Sequence, residues 1–145
     1  AMSIDRLKEP TSALVARVLD TSRLLTPTPG AVRGLRVARE LLTDQAHWNK
    51  GDRRVERGAM VRVKVLARSM GLNEALGARA ARGVSPDDAS RAYHAVSALL
   101  DDGHRHGPQA GDPDSFNGAP ETTHADVLAL LDRAIEVASV AAETA

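Results

Sequence analysis

The side chains of this sequence best suited to binding form a basic cluster beside its one tryptophan. Residues 47–68 contain seven Lys and Arg side chains against Asp52 and Glu56, with His47 and Trp48 at one edge. Clustered cations next to an aromatic ring suit phosphate groups, unpaired bases or an acidic protein surface. The candidate binding residues, extended to residue 82, are Trp48, Lys50, Arg53, Arg54, Arg57, Arg62, Arg68, Arg79 and Arg82. A solvated helix face, partly neutralised by acidic residues of the same fold, is the alternative that needs no partner.

Charge is divided unevenly along the chain, although its total is zero. The 145 residues include 19 Lys and Arg and 19 Asp and Glu. Residues 1–86 carry 16 basic and 8 acidic side chains, a net of +8, whereas residues 87–145 carry 3 and 11, a net of −8. The neutral total argues against a uniformly basic nucleic-acid-binding protein, but the basic half by itself keeps that class open.

Groups that could support catalysis are sparse. His104 and His106 lie close in sequence to the aspartates of residues 101–112, which are ligand types for zinc and other divalent cations. No rigid element supplies a third ligand, so a solvated polar loop is the favoured interpretation. His94 and His124 occupy helical positions predicted to be surface or capping sites. Because nucleophile elbows, phosphate loops and dinucleotide glycine motifs do not occur, we predict no catalytic residue, no metal site and no cofactor.

Hydrophobic periodicity predicts the elements that position these groups. Hydrophobic residues make up 43% of the chain and aromatic residues 2%, so the core must be aliphatic. Six helical segments are predicted, covering approximately residues 12–25, 29–42, 54–70, 73–83, 85–103 and 123 onward. Residues 61–65 alternate with period two, which leaves a short strand as an alternative there.

Capping residues predict where three of these helices begin. Thr28 precedes Pro29 and Ser85 precedes Pro86, and each pair suits an N-cap followed by proline in the first turn. Thr123 is followed three residues later by an acid, which is the pattern of a capping box. Residues 104–122, rich in Gly, Pro, Asp and His, are predicted to be a long loop that Phe116 tethers to the core.

The sequence as a whole predicts one all-α domain over residues 1–145, with five to six helices. Ala1-Met2 is typical of a cloning remnant. The chain has no cysteine, so a disulfide framework and a cysteine-based zinc site are excluded. No signal peptide and no apolar run near the ~20 residues of a membrane span occur, which predicts a cytoplasmic protein that does not enter membranes.

Part of the basic region follows the order of a helix-turn-helix. Leu66 to Leu72 fits a first helix and tight turn, residues 74–82 would be the recognition helix with Arg79 and Arg82, and residues 84–92 would form a third helix. Residues 65–106 thereby resemble lactose-repressor-type DNA-binding domains, which implies major-groove binding. Gly77 stands where that family has a β-branched residue anchoring the two helices.

Three separated segments carry a second resemblance. They are Leu41-Leu42 with His47-Trp48-Asn49-Lys50-Gly51 and Gly58, the small-residue stretch 65–71, and Phe116-Asn117-Gly118-Ala119-Pro120 through Thr123 and Val127 to Ile135. They resemble a family of small uncharacterised helical proteins from actinobacteria and their phages. Gly118 replaces the usual Asp, and the family's Cys-x-x-Gly-Ala segment lacks its Cys and Gly here. The resemblance spans roughly residues 35–140 and implies a compact helical domain, with no activity to carry over.

These observations favour a non-enzymatic interaction or regulatory module that binds a protein, another copy of itself or another acidic partner through its Arg-rich face. Nucleic-acid binding through residues 47–82 is the alternative hypothesis. A metal-dependent enzyme centred on His104 and His106 is the most remote one.

Overall fold

The computed structural model describes residues 5–21, 26–43, 84–100, 113, 116 and 121–144. Over these ranges the chain is helical and contains no strand. A 3₁₀ turn, Asp5–Lys8, leads into α1, Thr11–Thr21, and α2 spans Pro29–Leu41. The two further helices are α3, Pro86–Leu100, and α4, His124–Thr144. The all-α prediction is confirmed for the described part of the chain.

Four of the six predicted helical segments correspond to α1–α4. The segments predicted at 54–70 and 73–83, and the alternating residues 61–65, lie outside the described residues. So does most of the predicted loop 104–122, where Pro113 and Phe116 have helical backbone and buried side chains. No helix in the described ranges combines the length and apolarity needed to cross a membrane.

The helices enclose an aliphatic core. Helices α3 and α4 pack against each other, and each of them also contacts both α1 and α2. The largest side chains with less than 2% of their surface exposed include Leu14, Leu35, Leu99 and Leu130 from the four helices. Phe116 joins the same core at 1% exposure, as the sequence predicts. Burial of these apolar faces is the main stabilising contribution in a bundle of this kind.

The predicted helix starts are confirmed by their hydrogen bonds. The Ala31 amide donates to Thr28 Oγ1 at 3.1 Å, and the Asp88 amide donates to Ser85 Oγ at the same distance. At α4, the Thr123 amide donates to Asp126 Oδ2 at 2.9 Å, and the Asp126 amide donates to Thr123 Oγ1 at 3.1 Å. This reciprocal pair is a complete capping box, which satisfies amides that have no partner inside the helix.

A shared carboxylate joins the N-termini of α2 and α3. Thr28 Oγ1, the N-cap of α2, donates to Asp88 Oδ1 at 2.7 Å. This hydrogen bond is the largest influence that holds the pKa of Asp88 below its usual range, with smaller contributions from Ser85, Arg33 and Arg91. A Cβ on Gly30 would overlap the same carboxylate. Glycine at this position therefore allows the two helix ends to approach closely.

We expect Gly30→Ala to lower the free energy of unfolding by about 1 kcal/mol, because Asp88 must swing away and lose its bond to Thr28. In an Asp88→Ala background the same change should be neutral or stabilising, since alanine is the better helix former. Chemical denaturation of the four proteins in this double-mutant cycle measures the coupling.

Gly34→Ala is the matched control, one helical turn along the same face of α2. A Cβ there would lie 3.4 Å from Val84 Cγ1 and 3.5 Å from Ala92 Cβ, which is ordinary van der Waals contact. We expect this variant to be neutral or more stable by up to about 1 kcal/mol. Equal destabilisation by both alanines would refute the role assigned to the Asp88 carboxylate.

One arginine of α4 holds the N-terminal segment in place. Arg133 donates through Nε to the Leu7 carbonyl at 3.0 Å, through Nη1 to Thr11 Oγ1 at 2.7 Å and through Nη2 to the Glu9 carbonyl at 2.5 Å. Its Nη1 also lies 2.9 Å from Glu136 Oε1. The planar fork of a guanidinium satisfies four acceptors here that lie on the turn before α1, on α1 and on α4.

Candidate binding groove between α2 and α4

The nine binding residues predicted from the sequence all fall between residues 48 and 82, outside the described residues. His104 and His106, the predicted metal ligands of the remote hypothesis, are outside them as well. Within the described ranges, no group of three or more His, Cys, Asp or Glu side chains could hold a metal ion. The candidate site that the structure does describe comes from other residues.

A groove of 420 Å³ lies between the N-terminal half of α2 and the C-terminal end of α4. Ligand sites in proteins commonly have volumes of about 300–1,000 Å³. Its lining residues are Pro29, Val32, Arg33, Arg36, Ser139, Ala142 and Glu143. Two of the charged residues come from α2 and one from α4, so the packing of two helices distant in sequence creates the groove.

The three arginines of α2 differ in what they contact. Arg39 Nε donates to Asp132 Oδ1 on α4 at 2.7 Å, and its Nη1 donates to Thr43 Oγ1 at 2.9 Å. Arg33 and Arg36 are exposed, and no hydrogen bond or salt bridge to either guanidinium is present among the described residues. Arg39 therefore forms an ion pair between α2 and α4, whereas Arg33 and Arg36 line the groove as exposed side chains.

The opposite wall of the groove carries a carboxylate. Glu143 is exposed, and in the described part of the chain no salt bridge joins it to either of the two arginines. Between the two walls, Val32 is buried and Ala142 is partly buried. Ser139 adds a hydroxyl group, which donates to the Ile135 carbonyl at 2.7 Å and keeps its lone pairs as acceptors.

His124 forms a contact that the sequence does not reveal. Its Nε2 lies 2.6 Å from the carbonyl oxygen of Leu42, the C-cap residue of α2. The start of α4 is thereby linked to the end of α2, so the two helices run antiparallel with the groove at their other ends. The sequence, which predicts a surface or capping position for His124, does not reveal this contact because the Leu42 carbonyl lies 82 positions away along the chain.

His94 is more buried than a surface position allows. It is partly buried on α3, and its Nε2 atom is shielded from solvent with no hydrogen-bond partner in the described part of the chain. This burial lowers the pKa of the imidazole from its ordinary value of 6.5, because a charge there would be poorly solvated. The sequence pattern, which favoured a surface or capping residue over a base, did not predict the burial of this Nε2 atom.

We expect the free energy of unfolding to fall as the pH drops below about 6.5, where the unfolded chain binds a proton at His94 before the folded chain does. The loss continues down to the lower pKa of the folded state. His94→Gln should remove this part of the pH dependence. Denaturation midpoints of both proteins between neutral and mildly acidic pH measure it, and parallel curves would contradict the assignment.

Comparison with known families gives one result, which covers most of the chain. The model of a family of unknown function, DUF6197, matches residues 26–137. The chain belongs to this family. That membership agrees with the expected resemblance to a family of uncharacterised proteins. No match was found among curated proteins or among solved structures.

The residues matched by the family model include only one side of the groove. It includes all of α2, with Arg33 and Arg36, and all of α3. It ends at residue 137, before Ser139, Ala142 and Glu143 on α4. The arginine wall of the groove therefore lies within the family region, and the carboxylate wall follows it.

Proposed function

We propose that this protein is a non-enzymatic interaction module that binds an acidic segment of a partner protein. The observation that carries this proposal is the exposure of Arg33 and Arg36 on one wall of the groove, with no ion pair to either among the described residues. Residues three apart on a helix are neighbours, so both guanidinium groups can contact one acidic segment. Guanidinium groups form strong, directional hydrogen bonds with carboxylates.

The distribution of charge along the sequence also supports an acidic partner. Arg33 and Arg36 belong to residues 1–86, whose net charge is +8, and the basic residues predicted for binding follow α2 in sequence. An excess of basic side chains attracts an acidic partner from solution and increases the association rate, with strong dependence on salt. We place this binding in the cytoplasm.

The proposal is tested with a short polyglutamate peptide and the full-length chain. We expect measurable binding by isothermal titration calorimetry at low salt, and at least tenfold weaker binding for Arg33→Glu with Arg36→Glu. Lys8→Glu with Arg17→Glu is the matched control, because it changes the net charge equally but lies on the N-terminal turn and α1. Equal weakening by both double variants would indicate a general charge effect and refute the groove.

The second candidate function is nucleic-acid binding through residues 47–82. Trp48, the only tryptophan of the chain, lies at the edge of a cluster of basic residues and supports this candidate. A single-stranded oligonucleotide should then quench the Trp48 fluorescence, with an affinity that falls steeply with salt. Arg57→Ala with Arg62→Ala should abolish the quenching. A flat salt response would eliminate this candidate.

A further inference from the structure

The two walls of the groove carry opposite charges that do not pair with each other. Arg33 and Arg36 line it from α2, and Glu143 lines it from α4. Two turns of α2 away from Arg33, the same two helices are close enough for Arg39 and Asp132 to form a 2.7 Å ion pair. The two helices are therefore joined by an ion pair at Arg39, and an open groove of about 420 Å³ lies between them beside Arg33 and Arg36.

This arrangement constrains what can occupy the groove. A uniform polyanion would gain from the two arginines but would bring like charge towards Glu143. A ligand with both signs would instead satisfy both walls. Specific binding sites often combine an attractive contact with a repulsive one that excludes wrong ligands. The carboxylate of Glu143 thus penalises nucleic acid and polyglutamate relative to a segment of mixed charge.

The surface between the walls is apolar. Val32 is 7% exposed, and Ala142 and Pro29 line the groove beside it. A small or medium apolar side chain placed here would be removed from water on binding, which contributes favourably. The lining therefore combines two arginines of α2, the apolar Pro29, Val32 and Ala142, the Ser139 hydroxyl, and the carboxylate of Glu143 on α4.

We propose that the groove selects a partner segment in which an acidic group and a basic group flank an apolar residue. The acidic group binds Arg33 and Arg36, and the basic group binds Glu143. This inference rests on the proposed function, because it names the charge pattern of the acidic partner. It adds a specificity residue, Glu143, to the arginines that attract the partner.

The test compares two short synthetic peptides on the full-length chain. The mixed peptide carries glutamates, a leucine and a lysine in that order, and the acidic peptide has glutamate in place of the lysine. We expect the mixed peptide to bind about tenfold more tightly, since the exchange replaces an exposed attraction by a repulsion of similar size. Calorimetry or fluorescence anisotropy with labelled peptides measures both affinities.

Variants of Glu143 separate this inference from the function on which it rests. Glu143→Gln should bring the two affinities to within about twofold, and Glu143→Lys should reverse the preference. Because Glu143 is exposed in the last turn of α4, a lysine there suits the helix dipole and should leave the fold intact. Circular dichroism checks this.

Each other outcome overturns a defined part of the proposal. One such outcome is equal binding of the two peptides, with affinities that do not change in Glu143→Gln but are lost in Arg33→Glu with Arg36→Glu. This result would refute the proposed charge pattern of the segment, but it would agree with binding of an acidic partner. Absence of binding by either peptide would refute both. A third outcome is a dimer that dissociates in high salt. If this dimer is lost in Glu143→Lys and in Arg33→Glu with Arg36→Glu, and is restored when these two variant proteins are mixed, the groove binds a second copy of the chain.

Discussion

Phe116→Ala should lower the free energy of unfolding by about 3–5 kcal/mol, the typical cost of removing a buried aromatic side chain. Phe116 is 1% exposed and is the largest of the fully buried side chains in the described part of the chain. It belongs to one core cluster with aliphatic side chains from all four helices, so we expect its truncation to open a cavity in that core. Urea denaturation followed by far-UV circular dichroism measures the loss.

Phe116→Leu provides the control for this prediction. Leucine fills much of the same volume and should cost less than about 1.5 kcal/mol. Typical domains have a free energy of unfolding of about 5–15 kcal/mol. Phe116→Ala should therefore give either a folded protein of clearly reduced stability or an unfolded one. A loss below about 1 kcal/mol for Phe116→Ala would show that this side chain does not anchor its segment to the core.

Arg133→Met should be the second most destabilising of the changes considered, at about 2–3 kcal/mol. The guanidinium side chain is 17% exposed and bonds the Leu7 and Glu9 carbonyls, the Thr11 hydroxyl and Glu136. The bonds to the Leu7 carbonyl and the Thr11 hydroxyl are partly buried, and hydrogen bonds to charged groups contribute more than neutral ones. Methionine retains most of the apolar stem, so the change isolates the loss of the guanidinium.

A local measurement distinguishes loss of the Arg133 contacts to the N-terminal segment from general destabilisation. Hydrogen exchange of the backbone amides in residues 5–14 should accelerate in Arg133→Met, because the 3₁₀ turn and the start of α1 lose their link to α4. Arg39→Met is the matched control on another helix. It breaks the ion pair to Asp132, whose side chain is 60% exposed, and should cost at most about 1 kcal/mol. Equal losses of unfolding free energy in Arg133→Met and Arg39→Met would contradict the role of Arg133 in holding the N-terminal turn.

The sequence predicted the helix starts well because capping is a local interaction. Thr28 with Ala31, Ser85 with Asp88 and Thr123 with Asp126 are each three residues apart, so the donor and acceptor meet whenever the helix forms. Burial of Phe116 was also predictable, since it is the only phenylalanine of the chain and lies in a polar segment. These features require no knowledge of how the helices pack.

The groove could be predicted only in part. The sequence shows that α2 carries three arginines, but it does not show which of them are neutralised. Arg39 contacts Asp132 across 93 positions, whereas Arg33 and Arg36 face Ser139, Ala142 and Glu143 without such a contact among the described residues. Both relationships follow from the register between α2 and α4, which depends on how their apolar faces interlock.

The sequence by itself determined the four helices of the described part of the chain, their capping residues and the separation of charge between the two halves of the sequence. These properties depend on residue type and on spacings within one helical turn. Tertiary structure alone decided that the Asp88 carboxylate serves the cap of α2 as well as its own helix, that Arg133 holds the N-terminal turn, and that a groove between α2 and α4 lies beside Arg33. Each of these depends on contacts between helices far apart in sequence, whose geometry is set by packing of the core.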